Sequence, residues 1–330
     1  MPRRVYSKKL MRNSIIAIGI VLVCVLFYHS DTSLSLGENL RNAFSGQAAP
    51  SGDFKPDNAG KFLFYAMDTG NSDSLLMVAP GGESMLVDAA DSDDYPAIEA
   101  TLKKYGVNEI KALVATHFDS DHIGSMDEVI ENTTVDAVYL SNYKDNTKDY
   151  RNLMDAIDAK NLTTVYALSG MQFNVGDATV KILNPQDKKA EDPNDASIVL
   201  MVSYGSSDFL LTGDMGEGAI NDLLQRWGDS IDCEVLKVAH HGSRTGTTDN
   251  LLRAATPEIA VIPCGAGNPY GHPHAETLNL LQKYNVQTYR TDRDGDIAVL
   301  TDGNTLETFS RNNIPSPPLL FFNQTLLPFS

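Results

Sequence analysis

An α/β fold is predicted by two observations. Short apolar runs end in clusters of His and Asp, and a helical apolar spacing resumes directly after the first cluster. Lys111–Thr116 (KALVAT) reads as a buried strand, and Ile123–Asn132 (IGSMDEVIEN) has the spacing of a helix. Between them His117, Asp119, Asp121 and His122 place four metal-ligand side chains on one strand-to-helix turn. Neutral imidazole combined with carboxylate suits Zn²⁺, Mn²⁺ or Fe²⁺ better than Ca²⁺. Sites on open α/β sheets sit at such strand ends.

The segment THFDSDH resembles the HxHxDH signature of metallo-β-lactamase-fold hydrolases, with Asp119 standing where most members carry a second His. The resulting HxDxDH pattern is similar to that of the hydrolase domain of ComEC competence proteins and of the related phosphorylcholine esterases. Further segments resemble the family's in order. Met67–Met77 looks like the opening strand and turn, Met85–Ala90 like a strand ending in Asp88, and Asn194–Leu200 with Phe209–Asp214 like the strand pair that delivers Asp214. Val235–Ser243 and Asn268–Leu278 look like the two late ligand loops. The resemblance implies a four-layer αββα sandwich over residues 61–311.

It also implies a dinuclear centre holding two divalent ions, Mn²⁺ or Zn²⁺. His117, Asp119 and His240 would hold one ion, Asp121, His122 and His272 the other, and Asp214 would bridge them, with Asp121 and Asp214 as the catalytic carboxylates. Two ions about 3.5 to 4 Å apart can share a carboxylate, lower the pKa of water and clamp attacking and leaving oxygens. Three carboxylates let Mn²⁺ or Fe²⁺ compete with Zn²⁺ better than an all-His site would. Many relatives carry a His ligand just before the strand that here begins at Ser197, where this chain has Asn194 and Asp195. ComEC-like members share that departure and use the HHG loop, which is the ground for choosing His240. His241, Asn268 and Tyr270 are then expected to face substrate, and Asp88 to orient a ligand imidazole from behind. His274 is expected at the surface or behind a ligand, Asp73 and Ser74 in the turn after the first strand, and Lys237 in a structural role.

A chain of 330 residues, 42% of them hydrophobic, can bury one large core. Residues 1–30 carry Arg3, Arg4, Lys8, Lys9 and Arg12 and no acid, ahead of the apolar run Ile15–Tyr28. That run fits an uncleaved single-pass anchor and also the core of a signal peptide. The basic flank keeps the amino terminus cytoplasmic in both cases. The catalytic domain is therefore expected outside the cytoplasm, held at the cell membrane or secreted after signal cleavage. Residues 31–60 read as a flexible linker and residues 312–330 as a Pro-rich apolar tail. Cys233 and Cys264 are expected at opposite ends of parallel strands, too far apart for a disulfide.

Charge bears on the substrate. The chain has 43 acidic and 26 basic residues, a net charge of −17, and beyond the amino-terminal flank its densest basic pairs are Lys103–Lys104 and Lys188–Lys189. Proteins that grip long nucleic acids neutralise phosphates with basic patches. The expected activity is hydrolysis of a phosphodiester, either DNA without sequence preference or a small phosphodiester of the cell surface. Hydrolysis of carboxylic esters, thioesters or lactams is an alternative on the same fold, and a noncatalytic metal-binding module of the surface or DNA-uptake apparatus is another.

Overall fold

The structure is a computed structural model that describes residues 54–187, 190 and 192–312. The expected anchor or signal segment, most of the linker and nearly all of the tail lie outside the described residues. Among the described residues no helix is long and apolar enough to cross a membrane.

The chain runs through β1 (Phe62–Ala66), β2 (Leu75–Val78), β3 (Ser84–Val87), α1 (Tyr95–Lys104), β4 (Glu109–Ile110), β5 (Ala112–Ala115), α2 (Ser120–Ile123), α3 (Met126–Asn132), β6 (Thr134–Val135), β7 (Ala137–Leu140), α4 (Lys148–Lys160) and β8 (Thr163–Tyr166). It continues through β9 (Gln172–Val175), β10 (Ala178–Asn184), β11 (Val199–Tyr204), β12 (Ser207–Leu211), α5 (Glu217–Trp227), β13 (Val235–Lys237), α6 (Asp249–Ala255), β14 (Ile259–Ile262), α7 (Ala275–Lys283), β15 (Gln287–Arg290), α8 (Thr291–Asp294), β16 (Ile297–Thr301) and β17 (Leu306–Ser310). An eight-stranded sheet has the order β17-β16-β1-β2-β3-β5-β7-β8, and a seven-stranded sheet the order β15-β14-β13-β12-β11-β10-β9.

Three apolar layers hold four structural layers together. Phe62, Phe64 and Ala66 of β1 join Leu200, Val202 and Phe209 in the cluster between the sheets. Their alternates Leu63 and Tyr65 join Ile98 of α1, Val129 of α3 and Ile157 of α4 on one outer face. Val199, Met201 and Leu210 join Ile220 of α5, Leu251 of α6 and Leu281 of α7 on the other. This is the αββα sandwich. Because both faces of each sheet are covered, central strands such as FLFYA and IAVI read as unbroken apolar runs instead of alternating ones. Phe209 packs its ring 5.7 Å from Phe62 and 5.8 Å from Phe64, tying the sheets at the centre. Truncating such a core aromatic to Ala costs about 3–5 kcal/mol.

The helix expected over Ile123–Asn132 is broken. α2 ends at Ile123 and α3 starts at Met126. Between them the Gly124 and Ser125 amides donate to the Ala90 and Ala89 carbonyls. A Cβ on Gly124 would lie 2.4 Å from the Ser92 nitrogen, so only glycine lets the ligand turn press against the loop after β3. Cys233 and Cys264 are both buried and free, one before β13 and the other after its parallel neighbour β14.

Candidate metal centre

The centre is assembled at the carboxyl ends of five strands. β3 and β5 run parallel in one sheet, and β12, β13 and β14 run parallel in the other. Asp88 follows β3, Thr116 and His117 follow β5, Asp214 follows β12, His240 and His241 follow β13, and the loop carrying His272 follows β14. The two sheets are laced together at these ends by Ile198 N–H to the Thr116 carbonyl at 2.8 Å, and within the second sheet His240 N–H donates to the Gly213 carbonyl at 3.2 Å. The Asp214 N–H donates to Ser197 Oγ at 3.1 Å, and Gly216 N–H to Asp195 Oδ1 at 3.1 Å. The segment where many relatives place a His therefore braces the Asp214 loop here.

His117, His122, His241 and Asp214 form a buried inner group. Asp214 Oδ2 lies 3.4 Å from His122 Nε2, 3.5 Å from His241 Nε2 and 3.9 Å from His240 Nε2. Ligand atoms of His117, His122 and Asp214 lie within 4.8 Å of one another, as do those of Asp121, His122 and His241. Each inner imidazole is held from behind at Nδ1. His122 pairs with Asp88 Oδ2 at 2.7 Å, His117 with Thr116 Oγ1 at 3.1 Å, and His241 with the Pro263 carbonyl at 3.1 Å. Asp88 is fixed in turn by the Thr116 N–H and hydroxyl, at 2.8 and 2.7 Å.

This leaves Nε2 of His117, His122 and His241 buried and without a hydrogen bond of good geometry, each facing a carboxylate oxygen at 3.2 to 3.6 Å. Leaving such groups unpaired costs about 1–3 kcal/mol each. Imidazole lone pairs converging beside carboxylates are the donor set a divalent transition metal takes up, so the residues present fit such an ion.

The backbone is strained at the same place. Asp88 has φ +61°, Ala90 +49°, and His240 and His241 +51° each, a region disfavoured for side-chain-bearing residues. Gly242 follows at φ +84°, where a Cβ would meet Pro273 Cβ at 2.4 Å, so glycine lets the His241 loop close onto the loop of His272.

The outer residues are held less firmly. Asp119 has a 47% exposed side chain with Oδ2 3.6 Å from His117 Nε2, and Asp121 is a third exposed with Oδ2 3.2 Å from His241 Nε2. His240 is 31% exposed. His272 stacks at 6.2 Å on His241 and at 5.7 Å under Tyr270. Asn268 donates to the Gly265 and His272 carbonyls and accepts from the Tyr270 and His272 amides, so its hydrogen-bonding capacity is filled within its own loop. His274 Nδ1 accepts from the Arg244 amide at 3.1 Å, behind His272. Tyr270 is 65% exposed. It lines, with Asn71, Asp91, Asp93, Asp94 and Asp121, an open cavity of about 460 Å³ beside the centre.

Charges in the inner group are strongly coupled. Burial raises the Asp214 carboxyl, yet His122, His241 and Lys237 hold it well below the ordinary range. Burial lowers the His122 and His241 imidazoles, but Asp214 with Asp88 raises the first, and Asp214 with Asp73 raises the second. Asp121, despite burial, is drawn down to about 2, chiefly by His241 and His122. The outer histidines go the other way: burial lowers His240, and burial with the neighbouring His240 and His241 lowers His272 to about 4.

Two buried residues given only structural roles by the sequence reading lie against the inner group. Asp73 Oδ1 is 3.5 Å from His241 Nδ1, and Lys237 Nζ pairs with Asp73 Oδ2 and lies 3.5 Å from Asp214 Oδ1. The signal for Lys237 was the charged residue inside the apolar run VLKVA, since a buried ammonium must be paired.

Residues 67–266 match the model of the Metallo-beta-lactamase superfamily. The chain is 26% identical over 249 residues to "ComE operon protein 3" of Bacillus subtilis (strain 168), covering 70% of this chain and 32% of that protein. It is 28% identical over 240 residues to "Competence protein ComA" of Neisseria gonorrhoeae, covering 72% of this chain and 30% of that one. The chain thus spans about a third of the length of these curated relatives. Among solved structures, the metallo-beta-lactamase fold protein YhfI from Bacillus subtilis aligns with a TM-score of 0.48 at 11% identity, over 69% of this chain and 96% of that one. The family match runs from the first site loop, through the HxDxDH turn and Asp214, to the paired histidines after β13, and on that ground the chain belongs to the metallo-β-lactamase superfamily.

Proposed function

We propose that the chain is a metal-dependent phosphodiester hydrolase of ComEC-like type, acting in the cell envelope outside the cytoplasm. The observation that carries the reading is the convergence of three buried imidazole nitrogens, none in a well-formed hydrogen bond, on the carboxylates around Asp214, beside an open cavity. His117, His122, His241, Asp121 and Asp214 would hold divalent metal, with Asp119, His240 and His272 completing the set around two ions. When bound, Mn²⁺ or Zn²⁺ supplies a lowered water pKa and a positive field for the phosphoryl oxygens.

The protein's own groups have separable tasks. Asp88 and the Pro263 carbonyl fix which nitrogens of His122 and His241 face Asp214. Asp121, held at about 2, stays anionic across the physiological range and serves as an anchor, not as a proton donor. His272, lowered to about 4, stays neutral there and offers a lone pair. Tyr270 presents an exposed ring at the cavity mouth, where a substrate group can stack.

Among phosphodiesters, DNA is favoured by the relative named a competence protein. The cavity's Asp91, Asp93 and Asp94 repel a polyanion, so affinity for DNA should be weak and fall steeply with salt. That acidic lining is the specific observation favouring the second reading, a small phosphodiester. The test is turnover of bis-p-nitrophenyl phosphate, single- and double-stranded DNA and nitrocefin by the Mn²⁺- or Zn²⁺-loaded protein and its Asp214→Ala variant. Phosphodiester turnover lost in the variant supports the proposal. Lactam or ester turnover alone points to the other enzyme class, and no turnover at full metal loading points to a binding module.

A further inference from the structure

Lys237 is the last residue of β13, registered between Leu211 of β12 and Val261 of β14, with a fully buried side chain. An ammonium in such a place is costly unless every proton finds an acceptor. It donates to the Gly213 carbonyl at 3.0 Å, pairs with Asp73 Oδ2 and lies 3.5 Å from Asp214 Oδ1. Two buried carboxylates, Asp73 and Asp214, face this one ammonium and balance its charge. One side chain therefore connects the loop after β1, the loop after β12 and, through Asp73, the imidazole of His241.

The two oxygens of Asp214 face different partners. Oδ2 looks toward three imidazoles, and Oδ1, which accepts no hydrogen bond, faces the Lys237 ammonium at 3.5 Å as a charge contact alone. The cluster of Asp73, Asp88 and His122 also has metal-ligand spacing, but the protein's own cation already sits against it.

We propose that Lys237 is a positioning residue of the metal centre, whose buried ammonium engages Asp214 through Oδ1 so that Asp214 is offered to metal through Oδ2 alone. The inference rests on the metal-centre reading above. Without the ammonium, Oδ1 would be free to rotate toward the ion and add a donor. With it, Asp214 would offer one oxygen only, leaving room for the open position that catalytic metal sites use.

The test uses Co²⁺ as the probe in the full-length protein, since the intensity of its visible absorption falls as coordination number rises. Wild type is compared with Lys237→Met, which keeps length and loses charge, and Lys237→Gln, which keeps a donor. Circular dichroism checks folding, and elemental analysis fixes Co²⁺ per chain. The expected result is equal Co²⁺ content, a severalfold weaker visible band in Lys237→Met, and an intermediate band in Lys237→Gln. Folded variants with wild-type Co²⁺ content and a wild-type band would overturn the proposal. So would loss of the native fold in both variants with metal present, which would assign Lys237 to folding. Failure of the wild type to bind Co²⁺ at all is a separate result, and it would remove the metal-centre reading and this inference with it.

Discussion

The inner and outer halves of the site are built on different principles. His117, His122 and His241 are buried and each is gripped at Nδ1, whereas Asp119, His240 and Tyr270 are partly open to solvent. Buried polar groups with fixed orientation bind a ligand without further ordering, which is the condition for tight and geometrically specific metal binding. Open groups can move with a substrate and exchange with water. On the proposed reading the inner half would set most of the metal affinity, and the outer half, whose Asp119 and His240 complete the metal set, would also meet substrate.

The largest effect is expected at the point where the inner half converges. Asp214→Ala removes the carboxylate shared by His122, His241 and Lys237, and breaking a buried charge cluster costs about 3–5 kcal/mol. Metal affinity should fall by more than about a hundredfold, measured by equilibrium dialysis and elemental analysis. Next comes Asp88→Ala, which touches no expected metal position yet frees His122 Nδ1 and the Thr116 turn. A loss of about 10- to 100-fold in metal affinity is expected there. If Asp88→Ala binds metal like wild type, the grip at Nδ1 is not what presets the inner half.

A direct comparison sharpens the division further. His241→Ala should weaken metal binding more than His240→Ala does, because His241 Nε2 lies beside both Asp121 and Asp214 while His240 reaches only Asp214, at 3.9 Å. Equal losses would return His240 to the position the sequence assigned it.

The titration of the inner half gives a prediction with a definite sign. In the metal-free protein burial lowers His122 and His241, but Asp214 and the carboxylates behind the rings raise both above 6.5. Raised imidazoles contribute stability that is present below about pH 6.5 and is lost as pH rises through the raised values. Asp214, held below 3.8, contributes stability that is lost as pH falls through its depressed value. The inner group therefore loses stability on the alkaline side, while the lowered His240 and His272 act oppositely and lose theirs as pH falls toward 4, so the metal-free melting temperature should peak near about pH 6.5 and decline as pH rises further. Metal affinity should rise with pH over the same alkaline range, because the ion must displace the imidazole protons. A metal-free melting curve that climbs from pH 6 to 9 would contradict the coupling to Asp214.

The smallest effect is expected at the rim. Tyr270→Ala should leave metal content unchanged and raise KM for a phosphodiester by about fivefold, the low end of the about 1–3 kcal/mol a stacking contact is worth, because the ring is exposed.

The same division explains what the sequence disclosed. Strand ends and the HxDxDH turn were legible because a strand buried on both faces is an apolar run, and a ligand turn after it interrupts that run with His and Asp. Asp88 was expected behind a ligand imidazole from the resemblance, and its Oδ2 lies 2.7 Å from His122 Nδ1. The choice between His240 and His241 was not, since both have positive φ and spacing alone does not say which ring a left-handed turn aims inward. Asp73 and Lys237 were read as local structure because their partners, His241 and Asp214, come from other strand ends and lie far away in sequence. The break at Gly124 was hidden for the same reason, being set by contact with the loop at Asp91 and Ser92.

Metal content measured by elemental analysis on folded full-length protein, after Mn²⁺ or Zn²⁺ loading and dialysis, tests the centre most directly. About two ions per chain are expected in wild type, with loss of metal in Asp214→Ala. A folded Asp214→Ala protein that keeps the same metal content as wild type would contradict it.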